Sequence, residues 1–74
     1  MSIKKDVLDK VVDKTNEHSN TWKGRPISTW LLGLHEEVSE LDCVIHGDHD
    51  DSLENELVQI ASIALNWLDH GAKR

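Results

Sequence analysis

Glu37 and Glu40 stand three residues apart, and Glu56 and Gln59 repeat that interval further along the chain. On a helix, residues three apart are neighbours on one surface, so each pair aims oxygen atoms at one place. Two such pairs on facing helices make a site for a hard cation. Mg²⁺ takes oxygen ligands in octahedral array and keeps places for water and phosphate oxygens. Three glutamates brought together without a cation or protons would repel one another. The competing reading is ordinary solvated helix charge.

The elements that would position these residues are legible as three helices. Residues 3 to 18 carry Ile3, Val7, Leu8, Val11, Val12 and Thr15 in an amphipathic pattern. The stretch 19 to 28 collects Ser, Asn, Gly24 and Pro26 and reads as a connection. Ser28 or Thr29 is placed to cap the second helix, expected over 28 to 46. Its residues Ile27, Leu31, Leu34, Val38, Leu41 and Ile45 are spaced 4, 3, 4, 3, 4, the interval of an a/d seam. Gly47 suits a helix stop, and Asp50, Asp51 or Ser52 suits the next cap. The third helix is expected over 52 to 70, with Leu53, Leu57, Ile60, Ala64 and Trp67 as its seam and Gly71 after it. It is apolar well beyond that stripe, at Val58, Ala61, Ile63, Leu65 and Leu68. A helix so apolar is buried on several sides, and a partner subunit is expected to supply part of the cover.

Helical phase then places the carboxylates. At about 100° per residue, Glu37 falls roughly 80° and Glu40 roughly 140° to one side of the second seam. Trp30, Gly33 and Val44 share that flank, while Glu36 lies nearly opposite the seam. Glu56 and Gln59 fall roughly 60° and 120° from the third seam, on the same side, with Ile63. The short connection after Gly47 favours an antiparallel hairpin, which would let both pairs line one cavity.

Other residues read less sharply. His46 and His49 with Asp48 and Asp50 lie in a turn without the four protein ligands of a structural zinc site, and a polar turn between helices is the favoured reading. His35 is a flank residue. Cys43, the one cysteine, has no histidine placed by sequence to activate it. Trp67 reads as core.

At these residues the chain resembles the MazG-like, all-α nucleoside triphosphate pyrophosphohydrolases. Their signature is Glu-Glu-x-x-Glu, a spacer, then Glu-x-x-Asp. Here "EEVSEL" is followed by "ENELVQ", with fifteen residues between Glu40 and Glu56. The similarity covers residues 27 to 70. It implies a helical subunit completed by oligomerisation, as a homodimer or homotetramer. It also implies Mg²⁺-dependent hydrolysis of an NTP or dNTP to the monophosphate and pyrophosphate. Glu37, Glu40 and Glu56 would then hold the metal, with Gln59 at the family's aspartate position. A glutamine offers a neutral carbonyl oxygen and cannot serve as a base at neutral pH. Activity with fewer ions or another substrate, or binding without turnover, are the two consequences. Within that reading Glu36 or Glu40 orients the attacking water. Lys14, Lys23, Arg25 or Lys73 meets phosphates, Trp22 or Trp30 stacks on the base, and Asn66 meets base or sugar or makes a structural hydrogen bond.

Composition bounds the rest. The 74 residues allow a single domain, 1 to 74, and a chain so short is marginal alone. A single cysteine leaves no internal disulfide, and no signal-like segment is apparent, so a reducing, cytoplasmic setting is expected. A net charge of −6 with scattered Lys and Arg argues against a nucleic acid polymer as partner. No run of about 18 apolar residues predicts a membrane span. Beside the enzyme stand two alternatives: a nucleotide-binding module without turnover, and a plain helical oligomerisation domain.

Overall fold

A computed structural model describes residues 2–47 and 52–72. Three helices follow in order: α1, Lys5–Trp22; α2, Ile27–Ile45; and α3, Leu53–Asp69. The described residues contain no strand. The expected three-helix, all-α architecture is thus present. α1 runs four residues beyond its expected end, because Trp22 is held against α2. Neither Ser28 nor Thr29 caps α2. The helix starts at Ile27 behind Pro26, without a side-chain cap. Gly47 ends α2 at φ 78°, where a residue with a Cβ would be strained. Ser52 caps α3, its Oγ accepting from the N–H of Asn55 at 3.0 Å. Asp50 and Asp51, the other expected caps, lie outside the described residues.

α3 is the central element. Both α1 and α2 pack along it, and α1 meets α2 at its end, where Trp22 lies on Trp30 and Gly33. Trp30 of α2 meets Trp67 of α3, and Glu37 and Glu40 meet Glu56. One number rises as the other falls, so α2 and α3 are antiparallel.

The inward faces differ from the expected seams. Trp30 and Ile63 are the buried apolar residues among those described. Both lie on the flanks that carry Glu37 and Glu56. The seam residues Ile27, Leu31, Val38, Ile45, Leu53 and Leu57 are exposed instead. On α2 the flank with Trp30 takes the interior, and on α3 Ile63 and the seam residue Trp67 meet it. Trp30 lies between Trp22 (ring centroids 4.6 Å apart) and Trp67 (5.9 Å), all nearly parallel. An aromatic side chain removes about 150–250 Å² from water when buried. Gly33 makes the stack possible, since a Cβ there would collide with Cη2 of Trp22. The indole N–H of Trp30 donates to the Arg25 carbonyl at 3.1 Å, so the stack carries no unpaired donor at its centre.

The α1–α3 contact is polar. Asn66, 1% exposed, donates from Nδ2 to the Thr15 carbonyl at 3.1 Å. The Thr15 hydroxyl donates to the Val11 carbonyl at 2.7 Å, and Ser62 to that of Gln59 at 2.8 Å. These short side chains let the two helices approach closely while satisfying their hydroxyls.

Candidate functional site

The matched phases of Glu37, Glu40 and Glu56 have their counterpart in space. Glu37 and Glu40 of α2 and Glu56 of α3 each offer a carboxylate oxygen, and the three oxygens lie within 4.8 Å of one another. The antiparallel hairpin explains the meeting. Glu37 and Glu56 both point along the line between the helices, and Glu40 lies one turn further on.

Burial grades across the cluster. Glu56 is 1% exposed, Glu37 is half-buried and Glu40 is open to solvent. Oε2 of Glu37 is buried and accepts no hydrogen bond. Removal from water pushes the Glu37 carboxyl above the usual carboxylate range. Its hydrogen bond with Glu56 acts the other way, and the charge of Glu40 adds to the rise. A buried acceptor without a donor is costly, and a cation would satisfy it. The three oxygens lie close enough for Glu37, Glu40 and Glu56 together to hold one ion. The donor set fits a hard divalent ion on chemistry as well, being all carboxylate. Gln59 is half-buried on the same flank of α3. Glu36 is exposed.

The substrate-contact residues fall into two groups. Trp22, Lys23 and Arg25 gather where α1 turns into α2, and Nε of Arg25 donates to the Thr21 carbonyl at 3.1 Å. Arg25 also lines a cleft of about 380 Å³ with Ile27, Trp30, Trp67 and His70. Two turns of α2, about 10 Å, separate Trp30 from Glu37. Two expectations need correction. Trp30 is 4% exposed with an indole on either side, so no face is left for a base. Asn66 is enclosed between α3 and α1 and takes the structural role. Lys14 pairs with Glu17 at 3.5 Å. Lys73, His49, Asp48 and Asp50 lie outside the described residues. His46 contacts its own helix, with Nδ1 2.8 Å from the Asp42 carbonyl. Cys43 and His35 are exposed.

Sequence reasoning missed His70. Its Nε2 donates to the Ser19 carbonyl at 3.1 Å, and its ring lies 5.8 Å from that of Trp30. It ties the end of α3 to α1 across 51 residues, a contact no local pattern signals. Fold and site together define an all-α hairpin protein with a carboxylate triad at one end and an indole stack at the other. The chain matches no family model, no curated protein and no solved structure.

Proposed function

We propose that this protein is a Mg²⁺-dependent nucleoside triphosphate pyrophosphohydrolase of the MazG-like kind, acting as an assembly of two or four copies. The observation that supports it is the convergence of Glu37, Glu40 and Glu56 from two helices, with a buried Glu37 oxygen that no protein group satisfies. These three side chains would hold the ion. Bound there, it supplies positive charge to triphosphate oxygens.

The chain's own residues do the remainder. Glu40 of the triad and Glu36 next to it are exposed carboxylates, and one of them orients a water toward the α phosphorus. The water oxygen bonds to that phosphorus as its proton passes to the orienting carboxylate, the bond to the β-phosphate bridging oxygen breaks, and pyrophosphate leaves. Lys23 and Arg25 bring positive charge to an acidic surface, and Trp22 keeps the base contact that Trp30 cannot make. Gln59 favours a second reading. A neutral amide at that position weakens the site, and the domain then binds nucleotide without cleaving it.

A panel of NTPs and dNTPs with and without Mg²⁺, read for pyrophosphate and for the melting shift, separates these readings. Turnover lost in Glu37→Gln and Glu56→Gln supports the enzyme. A melting shift without pyrophosphate supports the binding module. No response to metal or nucleotide overturns both.

A further inference from the structure

The turn from α1 into α2 joins an open aromatic face to an unpaired cation. Trp22 stacks on Trp30 by one ring face, with centroids 4.6 Å apart, and its other face meets no ring among the described residues. The side chain is half-buried. Beside it is a hollow of about 130 Å³, lined by Thr21, Trp22, Arg25 and Thr29. Pockets that hold a whole small ligand run to about 300–1,000 Å³, so this hollow takes the edge of a ring rather than a complete nucleotide.

The hollow is furnished with donors. Nε of Arg25 donates to the Thr21 carbonyl at 3.1 Å. That bond fixes the guanidinium at this wall and leaves its terminal amino groups as a fork. Arg25 forms no ion pair among the described residues. No carboxylate lines the hollow, although the chain has 14 Asp and Glu residues. A fork of this kind matches two adjacent acceptors. Guanine offers such a pair in O6 and N7. Adenine sets its N6 amino group beside N7, so donor would meet donor, and thymine sets a methyl group beside O4. Cytosine has an acceptor pair on a single ring, which covers less of an indole than a purine does.

The position suits a base whose phosphates reach the triad. The ring tip of Trp22 lies against Gly33. Gly33 stands one turn, about 5.4 Å, before Glu37 on the same flank of α2.

We propose that Arg25 is a specificity-determining residue that selects guanine nucleotides, its fork on O6 and N7 and the purine stacked on Trp22. This rests on the nucleotide reading above and names its substrate class. The test uses metal-free full chain and monophosphates, so it is separate from hydrolysis. GMP, IMP, AMP, CMP, UMP and 7-deaza-GMP are titrated in turn, and affinity is read from the Trp22 indole N–H and Arg25 Nε–H signals. GMP and IMP, which keep both acceptors, should bind about tenfold tighter than the other four. The 7-deaza compound removes the N7 acceptor alone and needs no variant. Arg25 is exposed, and Arg25→Lys, which keeps the charge without the fork, should bring GMP to the affinity of AMP. Equal affinity across the bases, GMP binding indifferent to the 7-deaza change or to Arg25→Lys, or no saturable shift at Trp22 overturns the proposal. Selective GMP binding without pyrophosphate release from GTP and Mg²⁺ upholds guanine selection and removes the hydrolytic reading. Pyrophosphate release from every NTP with no preference for GMP does the reverse.

Discussion

The two ends of the α2–α3 hairpin are built on opposite plans. At the indole end Trp22, Trp30, Trp67 and His70 satisfy one another within the chain, and the central N–H has its acceptor. At the carboxylate end Glu37, Glu40 and Glu56 share one small space, with like charges and a buried oxygen that accepts nothing. The first end is complete as it stands and stabilises the fold. The second gains from something added. The difference teaches where to expect function: stability and the unmet demand for a ligand lie about two helical turns apart on the same pair of helices.

The comparison breaks most visibly at Trp30. Trp30→Ala removes the middle of the stack, and urea unfolding should show a loss of about 3–5 kcal/mol. A loss under about 1 kcal/mol would mean that the indoles are not the anchor. Gly33→Ala acts on the same end with less force. Its added methyl meets the Trp22 ring, and overpacking of this kind costs about 1–3 kcal/mol, measurable in the same titration. Gly33→Ala at wild-type stability would show that Trp22 is free to move aside.

The carboxylate end answers to pH. Glu37 titrates above its unfolded value because burial disfavours the charged form. The folded chain therefore binds more protons there than the unfolded one. Its contribution is favourable below the usual carboxylate range and is lost as pH rises through the raised value. Metal-free protein should accordingly melt lower at neutral pH than at mildly acidic pH, and Glu37→Gln should flatten that slope. A wild-type slope of the opposite sign that Glu37→Gln abolishes would contradict the burial argument. Gln59→Asp sharpens the contrast by the smallest step. A fourth carboxylate should lower metal-free stability and tighten Mg²⁺ binding together, and Mg²⁺ binding unchanged by it would place residue 59 outside the site.

Much of this was legible in the sequence, for local reasons. Three helices follow from periodicity, the stop at Gly47 from its tolerance of positive φ, and the start at Ser52 from its hydroxyl. The triad followed from phase, since equal offsets from two seams on antiparallel helices bring side chains together. The facing of the helices was not legible. Periodicity marks an apolar stripe but does not say whether the same chain or another covers it, and here the leucine seams lie outside. The indole stack joins residues 22, 30 and 67, and the His70 tie spans 51 positions. Such contacts are set by which large surfaces find each other, not by any neighbour in sequence. Trp30 was read as a base contact for want of that information, whereas for Asn66 the structural hydrogen bond had stood as one of two readings.

The central claim is that Glu37, Glu40 and Glu56 form one cation site. Calorimetric titration of Mg²⁺ into wild type and into Glu56→Gln tests it most directly. Saturable binding by wild type, lost in Glu56→Gln while its helical signal is kept, is the predicted result. Equal binding by the two proteins, or none by wild type, would contradict it.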